Sequence, residues 1–314
     1  MNNSLAFCCI AFGEEAGGSV NIACEEKREN IYYENAFVAL KSVKSENPQI
    51  TVGLISNREA PKFYQKLFND NEIQIWYAPF DQFVFPTSYK WYLAFYKLAT
   101  MRWAVNNLSF DYFIQIDCDV VCNGSLSDLI EDLQYGIMML SGPFTYHHDV
   151  RVLYRDIYQK MYNDTNPMIK WGSGLIAGKV SDMRVFMDSC WKIYEQMQET
   201  PLDEMQLVGD EYITSVAAIH SGLPIYDGKA YMHVYWTGRF YLASTNYKYD
   251  KIVLLHVPVE KEIGIHTIYT FFTKHNRLPS KHKMYIFLSL PKARNPYIKS
   301  YIKAILRKIR RLIK

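Results

Sequence analysis

The chain has 314 residues, 49% hydrophobic and 15% aromatic, with a formal net charge of +3. That is ample material for a core in one large or two small domains. No apolar run approaches the ~20 residues of a membrane-crossing helix, and the six cysteines form neither a disulfide framework nor a CxxC pair, which excludes a helical membrane protein and a disulfide-stapled fold.

Residues 5–12 (LAFCCIAF) are a continuous apolar run, the signature of a buried strand. No positive leader precedes it, so no signal peptide is expected, and the cysteine usage fits a reducing cytoplasm. A loop with Gly and Glu follows at 13–19. Residues 30–44 have helical spacing, 50–55 (ITVGLI) read as a strand, 60–68 as a helix and 73–78 (IQIWYA) as a third strand. Strands alternating with helices predict βαβ units and a mostly parallel sheet. Ligands of such sheets bind beyond the carboxyl ends of the strands.

Residues 88–105 predict one helix carrying Lys90, Lys97 and Arg102. Solvated cations on a core helix are the ordinary reading for Lys90 and Arg102. Lys97 lies shortly before an acidic strand and could reach a diphosphate. That strand, 111–121, runs its apolar residues into Asp117 and Asp119. A buried strand ending in water with two carboxylates can hold a hard divalent cation through oxygen ligands. The loop after Phe12 and this acidic pair should share one edge of the sheet.

A turn at 123–126 precedes a helix starting near Ser127, and 135–140 is strand-like. Adjacent histidines point opposite ways in extended chain, so His147-His148-Asp149 reads as a polar loop rather than a shared metal site. The stretch 171–178 (WGSGLIAG) is either a tight turn before a buried strand or a close backbone approach to a ligand. A helix is expected over 181–198. Asp210 and Glu211 then open an apolar helix; favourable interaction with the helix dipole, roughly 0.3–1 kcal/mol, competes with a functional role. Residues 251–258 (KIVLLHVP) predict a late strand delivering His256. An isolated histidine is ordinarily a packed or surface residue, but two carboxylates holding a metal need further ligands, and imidazole suits Mn²⁺ and Zn²⁺. Lys261, five residues on, could contact a phosphate.

Charge is unevenly spread. Residues 263–314 hold 13 Lys and Arg and no Asp or Glu, leaving the first 262 with 22 against 32. From 297 to 314 the apolar residues form a stripe at period 3.6 with basic residues on the other face. Such a helix is expected to lie on an anionic membrane surface. Docking on the body of the protein and nucleic-acid contact are the alternatives, and the region lacks a base-reading motif, so no nucleic-acid partner is expected.

Tyr96-Lys97-Leu98 followed by Phe113-Ile114-Gln115-Ile116-Asp117-Cys118-Asp119-Val120-Val121-Cys122-Asn123-Gly124-Ser125-Leu126 resembles the GT-A-fold glycosyltransferases, in layout the family 8 glycogenin-like and lipooligosaccharide galactosyltransferase-like enzymes. The resemblance spans roughly residues 5–262. It implies an α/β, Rossmann-like, mostly parallel sheet flanked by helices over 1–262, ahead of a basic region, 263–314, that carries the amphipathic helix. It implies that Asp117 and Asp119 bind Mn²⁺ or Mg²⁺ and thereby the diphosphate of a UDP-sugar. His256 would be the third protein ligand, Lys97 and Lys261 would steady the phosphates or donor sugar, and Ala11 and Phe12 would take the uracil through backbone groups. Ser173 stands where the family usually has Asn, and Asp210 matches the Asp of an Asp-Gln pair that contacts the sugar. Glu211 replaces the Gln, so the family's retaining outcome is carried over by resemblance only, with Asp210 and Glu211 the candidate catalytic carboxylates. The implied function is metal-dependent hexose transfer to a glycan or lipid-linked acceptor, as in lipopolysaccharide or capsule assembly, at the cytoplasmic face of the inner membrane. The alternative is a non-catalytic sugar-nucleotide-binding or scaffold protein of the same fold.

Overall fold

The computed structural model describes residues 3–13, 28–142, 148–165, 168–200, 202–237, 249–290 and 306. In chain order the first half comprises β1 (Ser4–Ile10), α1 (Arg28–Glu46), β2 (Thr51–Ser56), α2 (Lys62–Asn69), β3 (Ile73–Tyr77), α3 (Tyr96–Asn107), β4 (Tyr112–Ile116), β5 (Val120–Cys122), α4 (Ser127–Asp132) and β6 (Ile137–Ser141). The second half adds α5 (His148–Tyr162), β7 (Trp171–Lys179), α6 (Val180–Glu199), α7 (Asp210–His220), β8 (Ile225–Asp227), β9 (Met232–Val234), β10 (Leu254–His256), α8 (His266–His275) and α9 (Lys281–Phe287).

A seven-stranded sheet of order β3-β2-β1-β4-β7-β6-β8 forms the centre. Its strands are parallel except β7, which pairs antiparallel with both β4 and β6. β1 and β4 are mostly apolar, with Ser4 and Gln115 the polar members, and buried because helices cover both faces. On one face α1 packs Tyr33, Phe37, Leu40 and Val43 into the sheet, and α8 closes over it through Tyr269 and Phe272, which meet Phe37 ring to ring. α3, α6 and α7 cover the other face, with Phe95, Met101, Phe186 and Tyr212 buried there. The chain order reverses between β1 and β4, and in open α/β sheets the crevice for ligands lies at the carboxyl ends of such a switch point.

Some of the sequence expectations change. The strand expected over 111–121 is two strands. β4 stops at Ile116, a turn closes with Val120 N–H on Asp117 C=O (3.2 Å), and β5 joins a separate sheet of order β5-β10-β9. The helix expected over 88–105 begins only at a 3-10 turn, Tyr92–Phe95, and becomes α-helical at Tyr96. The Gly-rich stretch at 171–178 is strand rather than turn, lying within β7. The late strand shortens to three residues, Leu254–His256. His148 and Asp149, expected in a polar loop, instead open α5. The loop after Gly13, His147, and residues 291–314 except Leu306 fall outside the described residues.

Candidate active site

The crevice gathers most of the singled-out side chains into one charged string. Asp117 follows directly on β4, and its N–H donates to Gly174 C=O of β7 (3.2 Å). Asp119, two residues on, is buried, and its C=O accepts from Val257 N–H (3.0 Å). β10 pairs antiparallel with β5, setting His256 opposite Val120 and so beside the acidic turn. His256 Nε2 lies 3.2 Å from Asp119 Oδ1 and 3.6 Å from Asp117 Oδ2. Lys261, in a π-helical turn after β10, places Nζ 2.6 Å from Asp119 Oδ2, while its C=O accepts from the buried Asn35 amide (3.2 Å). Lys97, in the first turn of α3, lies 2.6 Å from Asp117 Oδ1, donates to Ser173 Oγ (2.8 Å) and stands 3.5 Å from Asp210 Oδ2. Asp210 and Glu211 open α7, as expected.

These contacts shift the ionisations. Burial alone would raise the Asp119 carboxyl, but Lys261 and His256 overcome it and hold it far below the usual carboxylate range. Burial disfavours the His256 imidazolium, yet Asp119 and then Asp117 leave it above the ordinary 6.5. Lys97 and Lys261 are pushed up in the same way, burial opposing and Asp117 with Asp210, or Asp119, prevailing. Asp210 goes the other way: burial raises it, Lys97 pulls it down, and Glu211 adds to the rise.

One ligand atom from each of Asp117, Asp119 and His256 lies within 4.8 Å of the others, so one ion can reach all three. Two carboxylates and an imidazole suit a Mn²⁺-like cation. His256 Nδ1 is buried without a hydrogen bond, so the ring is oriented by β10 and by close packing instead. A Cβ at position 174 would lie 2.8 Å from Nδ1, so only glycine there leaves room for the imidazole. The four carboxylates of the string (Asp117, Asp119, Asp210 and Glu211) face Lys97, Lys170 and Lys261, a balance of −1 when His256 is neutral. A divalent cation reverses that sign, which suits a diphosphate.

Lys170 is a residue that sequence reasoning passed over. Its buried Nζ donates to Glu211 Oε2 from just before β7. Asn57 is another. Its side-chain amide accepts from Phe12 N–H (2.9 Å) and donates to Phe12 C=O (2.8 Å), and Arg58 stacks on the Phe12 ring at 3.7 Å. Both backbone groups of Phe12 are thus engaged by Asn57, and Arg58 covers one face of its ring. Lys90 and Arg102 stay out of the string: Lys90 lies over the Trp91 ring and Arg102 over that of Trp191.

No family model and no curated protein matches the sequence. Solved structures do match. An active-site glutamine-to-glutamate mutant of LgtC superposes with a TM-score of 0.52 at 14% identity, over 81% of this chain and 86% of that one. The galactosyltransferase LgtC in complex with donor and acceptor sugar analogues gives 0.49 at 14% identity over the same shares. The bifunctional glycosyltransferase WbbM, in its apo form, gives 0.50 at 12% identity over 81% of this chain and 45% of that one. At such identities the likeness is one of architecture, and the chain has the GT-A fold.

Proposed function

We propose that the protein is a glycosyltransferase that moves a hexose from a UDP-sugar to a glycan or lipid-linked acceptor. The observation that carries this reading is the meeting of Asp117, Asp119 and His256, with Lys97 and Lys261 beside them, at the crevice between β1 and β4. Asp117, Asp119 and His256 would hold Mn²⁺ or Mg²⁺, which supplies Lewis-acid charge to the departing diphosphate. Lys97 and Lys261, beside the aspartates, would add positive charge for the phosphate oxygens. Asp210 Oδ2, buried and without a hydrogen bond although 3.5 Å from Lys97 Nζ, is placed to accept from a sugar hydroxyl. Glu211 and Asp210 put negative charge beside a sugar that becomes oxocarbenium-like in the transition state. Phe12, held by Asn57 and Arg58 at the end of β1, is the nearest stacking surface for the base.

We assign retention of anomeric configuration and an acceptor of the lipopolysaccharide or capsule type. The basic stripe of residues 297–314 suits an anionic inner-leaflet surface, which would keep the enzyme peripheral and cytoplasmic. A panel of UDP-sugars with Mn²⁺, assayed for UDP release, tests the reading: one donor should turn over well above the rest. Release from none of them, with or without Mn²⁺, contradicts it.

A further inference from the structure

Lys170 and Glu211 form a second ion pair, apart from the metal cluster, and the fold holds both partners in place. The Lys170 side chain is 7% exposed and that of Glu211 32%, so the carboxylate is the more accessible partner and the ammonium is buried. Lys170 C=O accepts from Gly142 N–H at the end of β6 (3.0 Å), and its Nζ stands 5.8 Å from the Tyr154 ring of α5. Ser215 bridges the same two segments: its hydroxyl accepts from Trp171 N–H (2.9 Å) and donates to Glu211 C=O (2.6 Å). Residues i and i+1 of a helix do not face each other, so Asp210 turns to Lys97 and Ser173 while Glu211 turns to Lys170. Between them runs the Gly172-Ser173-Gly174 segment of β7, where a Cβ on Gly172 would lie 3.5 Å from Glu211 Oε1. A buried ion pair is weak evidence for stability, since an apolar pair of similar volume often serves as well. The pair calls for another reason.

We propose that Lys170 is a positioning residue for the transfer step. It fixes the Glu211 carboxylate at the rim of the Gly-Ser-Gly floor, where its charge meets the positive charge developing on the donor sugar. A carboxylate bound to an ammonium is a weak base, so the same contact keeps Glu211 from taking the acceptor's proton. This rests on the glycosyltransferase reading. It predicts a split that a merely structural lysine would not produce.

With UDP-galactose and UDP-glucose as donors and Mn²⁺ present, Lys170→Met should lower kcat for UDP release by about 10- to 100-fold. The donor KM and the affinity for UDP with Mn²⁺ should stay near those of the wild type, because neither depends on Glu211. Lys170→Arg should restore most of the rate. The double variant Lys170→Met with Glu211→Gln should be no slower than Glu211→Gln alone, since the lysine acts only through that carboxylate. If the methionine variant does not fold, Lys170→Gln serves in both comparisons. Wild-type kcat in the Lys170 variant, or additive losses in the double variant, overturns the proposal alone. A wild-type protein that releases UDP from neither donor nor any other UDP-sugar overturns the glycosyltransferase reading and this proposal with it.

Discussion

Asp117 and Asp119 stand just past β4 in the middle of a seven-stranded sheet, whereas Asp210 and Glu211 open α7, a helix that covers one face of it. The first pair is met by Lys97 and Lys261, each at 2.6 Å, on the carboxylate oxygens other than those nearest His256. Those lysines sit on long stems and can follow a phosphate once a cation arrives. The second pair gains from the helix dipole, and Glu211 is tied to a buried lysine that has nowhere else to go. One end of the string is therefore an exchangeable charge pair awaiting a guest. The other is a permanent negative field. The two ends should fail differently when altered.

Asp119→Asn should break the guest end most severely. Lewis-acid assistance is worth several kcal/mol, so UDP release should fall by at least ~10³-fold at tenfold per 1.36 kcal/mol. Circular dichroism should show the fold retained, and wild-type turnover would take the acidic turn out of the chemistry. Glu211→Gln should cost about 10²-fold in kcat, as loss of one charge-stabilising group does, while calorimetry finds UDP and Mn²⁺ binding unaltered. A loss of nucleotide affinity instead would erase the distinction between the ends. Gly174→Ala pushes on His256 without touching a carboxylate, and Mn²⁺ affinity should drop about 10-fold, the scale of an orienting-shell defect. Equal affinity in that variant would mean the imbalance lies elsewhere than the imidazole.

A pH series sharpens the same contrast. His256 has a folded pKa above 6.5, so its ion-pair contribution to the metal-free protein is fully present below 6.5 and is lost as pH rises through the raised value. The proton competes with the cation for Nε2, so Mn²⁺ affinity should increase over that same span. Affinity that is flat across it would contradict ligation by His256. The smallest effect on turnover is expected from the basic stripe: deleting residues 297–314 should release the protein from anionic vesicles in a sedimentation assay and leave UDP release unchanged. Full vesicle binding by the truncated protein would defeat the membrane proposal.

Much of the guest end was legible because it follows from strand chemistry. An apolar run meeting two carboxylates marks where a buried strand surfaces, and the same logic placed His256 at the end of a late strand. Two readings changed for different reasons. The run at 111–121 was longer than the typical strand of about 5–6 residues, and charges in mid-run signal a break rather than an end. The glycines of β7 read equally as a tight turn or as a close approach to a ligand, whereas at Gly174 the close neighbour is the His256 ring, which needs the space a Cβ would fill. Such a need depends on a residue 82 positions away and leaves no local trace. Lys170 and Asn57 were missed for the same reason: each looks like ordinary surface polarity until the fold sets it against Glu211 or Phe12.

The claim beneath all of this is that Asp117, Asp119 and His256 converge on one ion. Electron spin-echo spectroscopy of Mn²⁺ bound to the protein in the presence of UDP tests it directly. The account predicts bound Mn²⁺ with nitrogen modulation from a single imidazole, abolished in His256→Gln. Absence of bound Mn²⁺, or a nitrogen signal that survives that substitution, would contradict it.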